Sequence, residues 1–298
     1  NRPQGPERAP PCRIRVLDGR VWNVVDRNRR GRGTAVPDVA AAVSDLTEAR
    51  GHVRAERRAT ERQHRAFEQF RQTVRETDPV SVGGIEARPA SSGWTTEATG
   101  TTGDRCRRIR SAFEEQVVPH VDVTASTGVR GALASELSTE VAVALAAEGG
   151  GNQFTEPLRQ AILDHVGQRL AESRVMLRAL DRERSSLDDA VAALKRAERS
   201  LPSADDSTRI LAADSELWDR RTTAVDLAEE LTSALRARQS TLDAVTAAEV
   251  KAGIPHDTVV EYLFGDRDTT YPALDALLRG IRECRRRRDR LDDAIGGR

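Results

Sequence analysis

Thr155 to Leu201 reads TEPLRQAILDHVGQRLAESRVMLRALDRERSSLDDAVAALKRAERSL. Within it Leu163, Val166, Leu170, Ser173, Leu177, Leu180, Arg184, Leu187, Val191, Leu194, Glu198 and Leu201 recur at alternating intervals of three and four. Nine of these twelve are large aliphatics, and no proline falls among them. A mean spacing of about 3.5 residues keeps one stripe of a helix against the same neighbour, which is the seam of a coiled coil. At about 1.5 Å per residue the helix reaches roughly 70 Å, so other helices are expected to lie along it. The polar seam members Arg184 and Glu198 are expected to fix register or partner. Thr155 is placed to cap this helix, with Glu156 and Pro157 in its first turn.

The rest of the chain is ordered around that stretch. Leu201 to Asp206 is a short break, and Asp206 or Ser207 caps a further helix to about Lys251, with Ile210, Leu217, Ala224, Ala228, Leu231, Leu235, Leu242 and Val245 on one face. Two long helices joined by about five residues fold back antiparallel. Upstream, Pro37 and Asp38 open a helix with the series Val39, Val43, Leu46, Arg50, Val53, Arg57, Thr60, His64, Phe67, Arg71 and Val74, closed by Asp78-Pro79. Residues 78–104 carry Gly, Ser, Thr and Pro without a period and read as a flexible loop holding Trp94. A short helix is expected from about Asp104 to Val118. Another, from Val129 to Glu148, has Leu133, Leu137, Val141 and Leu145 at i,i+4 spacing and ends at Gly149-Gly150-Gly151. The last helix carries Leu274, Leu277, Ile281, Cys284, Arg288, Leu291 and Ile295. The fold class is therefore all-α, an elongated helical bundle built on a long antiparallel coiled-coil hairpin and spanning residues 37–295. Residues 1–36 hold nine arginines against Glu7, Asp18 and Asp26 and read as a mostly disordered basic segment, with an Asp18-Gly19 signal for a possible β-hairpin over 13–25.

Composition agrees with long helices and narrow seams. Aromatic content is only 3% and charge is 32%, so a conventional large core is not expected. The 47 basic and 47 acidic residues cancel, leaving no net field toward nucleic acid or membrane. Only Lys195 and Lys251 among the basic residues are lysines. Cys12, Cys106 and Cys284 are isolated, without CxxC spacing, which argues against a disulfide scaffold and a zinc site. Cys106 and Cys284 fall on apolar series and read as small buried hydrophobes. No apolar run of about 18 residues and no signal peptide is visible, so the expected location is the cytoplasm.

Three stretches resemble one family, the uncharacterised haloarchaeal proteins grouped as domain of unknown function 7260. They are Val53-Arg54-Ala55-Glu56-Arg57 with Phe67-Glu68-Gln69-Phe70, Ile109-Arg110-Ser111-Ala112-Phe113 with Val118-Pro119-His120, and Glu261-Tyr262-Leu263-Phe264-Gly265-Asp266 with Thr270-Tyr271-Pro272-Ala273-Leu274. The resemblance covers about residues 38–295. It implies an intracellular, mainly helical protein and brings no known activity, cofactor or catalytic residue. The chain departs from haloarchaeal cytoplasmic habit in being neutral rather than acidic.

Residues that carry chemistry are sparse. His120-Val121-Asp122 and His256-Asp257 set a His beside a carboxylate, but adjacent residues do not converge on one ligand, and capping or solvent exposure is the expected role. No P-loop, GxGxxG or Ser-His-Asp context appears, and no cofactor, metal or small-molecule ligand is expected. The arginines at 27–32, 105–110 and Arg285, Arg286, Arg287 and Arg288 could contact phosphates. Glu283, Asp289, Asp292 and Asp293 interleave with the last group, so a solvated helix face is the expected reading. The turn holding Tyr262, Phe264, Gly265, Tyr271 and Pro272 is expected to latch the last helix, with a partner site as the other reading. Gly265 would end its helix in a left-handed conformation, and Thr270 would cap the next. The function expected is a non-enzymatic coiled-coil interaction or scaffold protein, binding a protein partner or itself through helical seams, with no membrane contact. The alternative is a nucleic-acid-associated protein using the arginine-rich segments.

Overall fold

A computed structural model describes residues 39–80, 102–121, 128–146, 153–201, 214–244, 246 and 254–296. Among these, eight α-helices and one 3-10 turn form an all-α helical bundle, and no strand occurs. The helices are α1 (Val39–Glu76), α2 (Thr102–Gln116), α3 (Gly128–Glu136), α4 (Thr139–Ala146), α5 (Glu156–Ser200), α6 (Asp214–Asp243), α7 (His256–Phe264) and α8 (Pro272–Gly296), with the 3-10 turn at Val118–His120. The basic segment 1–36 with its possible hairpin, most of the 78–104 loop, Gly149 to Gly151 and the cap at Asp206 or Ser207 lie outside the described residues. The described chain divides into two compact units, one of Glu56–Leu177 and one of residues 39–55 and 178–296.

The Glu56–Leu177 unit packs part of α1 and of α5 with α2, α3 and α4. Four of the five phenylalanines lie here, Phe67, Phe70, Phe113 and Phe154, all buried with Ile109, Leu133, Leu145, Ile162, Val166 and Leu170. Phe70 and Phe113 meet edge to face, with centroids 5.3 Å apart and planes at 77°. The low aromatic content therefore hides a concentrated core, because the few phenylalanines share one place. The single helix expected from Val129 to Glu148 is two, broken at Leu137-Ser138. The Ser138 hydroxyl accepts the Val141 N–H at 3.2 Å and caps α4, so local capping overrides the i,i+4 leucine period. Arg169 of α5 donates to the carbonyls of Ser135 and Glu136 at 2.8 and 2.9 Å, satisfying the end of α3.

The other unit combines the start of α1 and the second half of α5 with α6, α7 and α8. Ion pairs give the register. Arg196 pairs with Glu230 and Glu183 with Arg238, so α5 and α6 run antiparallel. Arg221 pairs with Asp292, and Gly280 approaches Leu231, so α6 and α8 are antiparallel too. A Cβ on Gly280 would lie 2.8 Å from Leu194 Cδ2 and 3.0 Å from Leu231 Cδ1, so glycine lets α8 close on both neighbours. On α6 Leu217, Ala224, Leu227, Leu231 and Arg238 are buried, all but Leu227 spaced by sevens, while Leu235 and Leu242 are only half-buried. The helix ends at Asp243 rather than near Lys251, where Arg182 donates to the Ala244 carbonyl at 3.0 Å.

On α5 the buried stripe departs from the expected one. Ile162, Met176, Glu183 and Ala197 are buried, whereas Leu163 and Leu177 are half-buried, and Glu198 is exposed. Arg184 is partly exposed and pairs with Asp181 at 3.4 Å. An α-helix turns every 3.6 residues, so a strict 3.5-residue series drifts about 20° per heptad off the buried face. The polar seam residue is Glu183, and neither Arg184 nor Glu198 has that role. On α1 the same effect buries Glu56 in place of Arg57.

Candidate functional site

Two places in the second unit bear on function: an ionic cluster inside it and an open face between α6 and α8. The cluster joins three helices. Arg238 of α6 donates to both carboxylate oxygens of Glu183 on α5, at 2.7 and 2.9 Å, and to the Ser186 hydroxyl at 3.1 Å. His256, the first residue of α7, lies 3.1 Å from Glu183 Oε2 through Nε2. Because the carboxylate can only accept, Nε2 carries the proton. All three residues are buried. Burial pushes the Glu183 carboxyl up, but the hydrogen bond from His256 and the charge and hydrogen bonds of Arg238 outweigh it, and its pKa falls below 4.5. The expectation that His256 is a cap or solvent-exposed is thus wrong. Its partner is Glu183, while the adjacent Asp257 accepts from the Thr258 N–H at 2.8 Å.

The open face lies beside the buried α6 series. Ala224, Val225, Ala228, Glu229, Thr232, Ser233 and Arg236 of α6 and Cys284, Arg285 and Arg288 of α8 line a groove of about 450 Å³. Trp218 stands seven residues before Val225 on the same helical stripe and is 50% exposed. The Arg221 guanidinium lies 5.5 Å from its ring centroid and also pairs with Asp292 of α8. Cys284 forms part of the groove floor, fully buried, with its thiol pushed up to about 11, first by burial and then by Glu283.

The arginines at 285–288 divide. Arg286 and Arg287 both pair with Glu283, Arg288 bonds Asp289 at 2.6 and 3.0 Å, and Arg285 is exposed. At the turn, Phe264 is buried against His52, with ring centroids 6.1 Å apart, Tyr262 is half-buried and Tyr271 is 38% exposed. The three rings therefore sit in three settings. Pro272 opens α8 as its first residue. Gly265 takes φ −59°, not the left-handed conformation. It is needed for space instead, since a Cβ there would sit 2.6 Å from the Glu261 carbonyl oxygen. The Thr269 hydroxyl, not that of Thr270, accepts the Tyr271 N–H at 3.3 Å.

In the Glu56–Leu177 unit, Ser173 Oγ lies 2.7 Å from His64 Nδ1, and His64 Nε2 lies 3.7 Å from Glu68. Burial, with Arg174 and Arg71 beside it and Glu68 opposing, lowers the His64 pKa below 6.5. The order Ser-His-Glu looks hydrolytic, but Ser173 donates to the Leu170 carbonyl at 3.1 Å. In mid-helix the neighbouring N–H groups are spent on the helix, leaving none for an oxyanion. This is a polar tie between α1 and α5. Among the described residues no group of three or more His, Cys, Asp or Glu is placed to hold a metal ion. No described helix is long and apolar enough to cross a membrane.

Sequence reading missed Glu183, Arg238 and Trp218. The available signal was the spacing by sevens of Leu217, Ala224, Leu231 and Arg238, which puts a charge on a buried stripe and calls for an opposite charge on its neighbour. No curated protein and no solved structure matches the chain. A family model described as "Domain of unknown function (DUF7260)" matches residues 44–288, most of the chain, so the protein belongs to the DUF7260 family.

Proposed function

We propose that this chain is a non-enzymatic interaction or scaffold protein of the cytoplasm, meeting its partners through helical faces of coiled-coil type. The observation that carries this reading is the open α6/α8 face, where a groove of about 450 Å³ shares a stripe with the exposed Trp218. Tryptophan and arginine are the residues on which interface energy concentrates, and here Trp218 and Arg221 lie together. Cys106 and Cys284 are buried thiols and not disulfides, which suits a reducing compartment. The test is a photo-crosslinker at position 222, beside Trp218, used in the native host with the full chain. Adducts to protein are expected; adducts only to nucleic acid would defeat the reading.

A second reading, binding of nucleic acid, draws on the exposed Arg285 with Arg236 and Arg288 on one groove. Under it, duplex DNA or RNA binds at low salt, binding falls steeply as salt rises, and Arg285→Gln weakens it. The pairing of Arg286, Arg287 and Arg288 with carboxylates on their own helix ranks it second.

A further inference from the structure

The charges along the α6/α8 groove restrict what can lie in it. Three arginines line it, Arg236 on α6 and Arg285 and Arg288 on α8, against the one carboxylate of Glu229. Arg288 is balanced on its own helix by Asp289 at 2.6 Å and Asp292 at 3.9 Å. Arg236 and Arg285 are exposed, and neither has an ion-pair partner among the described residues. Both walls therefore carry uncompensated positive charge, which an occupant bearing carboxylates would complement. A second copy of this face would set arginine against arginine. The floor is apolar instead, since Ala224 and Cys284 are buried there. The occupant thus needs an apolar stripe between acidic flanks. The groove follows α6 from Ala224 to Arg236, roughly 18 Å or between three and four helical turns. An amphipathic helix laid with its apolar face in such a groove is a recurrent mode of recognition. Nucleic acid fits less well. A duplex carries a phosphate charge about every 1.7 Å, so it meets Glu229 as well as the arginines, and no aromatic lines the groove to stack a base.

We propose that the α6/α8 groove docks an acidic amphipathic helix of a partner protein. Its carboxylates pair with Arg236 and Arg285, its apolar stripe covers Ala224, Val225 and Cys284, and Trp218 packs against its end. This rests on the interaction reading and gives the partner its chemistry.

The test uses the full chain with Trp22→Phe and Trp94→Phe, so that Trp218 is the one fluorophore. The probe is a synthetic peptide of about 18 residues, free of aromatics, with leucine at helical spacing and glutamate on both flanks of that stripe. The controls are the same peptide with lysine for glutamate, and duplex DNA. In about 20 mM salt the glutamate peptide should bind with a Kd below about 1 mM, shift Trp218 emission as it binds, and weaken as salt rises; the lysine peptide should not bind. Arg236→Glu with Arg285→Glu should weaken binding at least about tenfold. Arg282→Glu with Arg290→Glu, at exposed arginines of α8 outside the groove, should change it by less than about threefold. Circular dichroism of both variants should match the parent. No binding of the glutamate peptide at about 1 mM overturns the proposal. Equal weakening by the two charge reversals overturns it too, because the attraction is then to the charge of the molecule at large. So does binding that leaves Trp218 emission unmoved, which puts the peptide elsewhere. Duplex DNA that binds more tightly than the peptide, and is lost when Arg236 and Arg285 are reversed, gives the groove to nucleic acid instead. The crosslink at position 222 in the native host is read separately, so the broader interaction reading can survive failure of the peptide.

Discussion

Arg238→Met is the most informative single change in this molecule. Methionine roughly keeps the volume while removing two hydrogen bonds to Glu183 and one to Ser186. What remains is a carboxylate wholly inside the second unit, with His256 Nε2 as its recorded side-chain partner. Leaving one member of a buried ion pair uncompensated costs about 3–5 kcal/mol. At about 1.4 kcal/mol per factor of ten, opening of this unit should become roughly a hundred- to several-thousand-fold more frequent. Cys284 reports that opening directly, because it is fully buried and its pKa is raised to about 11, so the folded thiol is close to inert. The assay is the rate of thiol modification near neutral pH in a Cys12→Ser background, with Cys106 assigned separately by mass spectrometry. A second variant carries Glu183→Leu, Arg238→Met and His256→Leu together. An apolar replacement of the whole cluster is expected to return stability to the parent's level or above it. The reasoning fails if Arg238→Met labels Cys284 at the parent's rate. It fails equally if the triple variant opens as readily as the single one, which would mean that packing rather than uncompensated charge was lost.

Two further outcomes follow from the same unit. Because the folded pKa of Glu183 lies below its ordinary 4.5, its contribution to stability is fully present above that value and is lost as pH falls through the lowered one. Denaturant titrations followed by circular dichroism should therefore show a fall confined to acid pH, and Arg238→Met should move its onset upward. Tyr262→Ala tests the latch: for a half-buried ring the loss should be about 1–2 kcal/mol, with faster proteolysis inside α8, whereas the fully buried Phe264→Ala should lose about 3–5. An unchanged melt for Tyr262→Ala, together with loss of a crosslinked partner, would make this turn a contact surface instead.

What the sequence shows of this protein is its periodicity. The long run after Thr155 declares a helix because the aliphatic positions repeat over several heptads without a break, and the helix is found from Glu156 to Ser200. Proline and glycine at the ends of the other runs place most boundaries in the same way. Which residue of each pair faces inward is less legible, since a 3.5-residue count and a 3.6-residue helix differ by one position over this length. That one position separates Arg184 from Glu183, and so separates a surface ion pair from the centre of a buried cluster. The break at Ser138 escaped because a cap is a single hydroxyl set against four leucine and valine positions in step. The partner of His256 escaped for another reason: it lies 73 residues away, and only the packing of α7 on α5 brings the two together. The open face was illegible because Trp218 sits one residue after the seam position Leu217, and a count of seam positions says nothing about the exposure of their neighbours.

The cluster also bears on how α5 and α6 find their alignment. The buried aliphatics on α6 before Arg238 are Leu217, Ala224, Leu227 and Leu231, three of them at intervals of seven, and α5 buries Leu187, Leu194 and alanine and valine neighbours in the same unit. Small and branched aliphatics at such even spacing pack nearly as well after a slip of one heptad, about 10.5 Å along the axis. No aromatic on either stripe breaks that degeneracy. Slippage would set Glu183 against Leu231, leaving it His256 alone, and would strand Arg238, and that loss of charge pairing costs more than the slipped apolar contacts can return. We infer that Glu183 and Arg238 select the register while contributing little net stability. The triple apolar variant separates the two roles: it should melt no lower than the parent yet populate more than one alignment. Cysteines at 196 and 230, whose native side chains pair across the two helices, would then be joined by a short thiol-reactive crosslinker in only part of the population. Complete crosslinking at that pair in the triple variant would show that the aliphatic packing sets the register unaided.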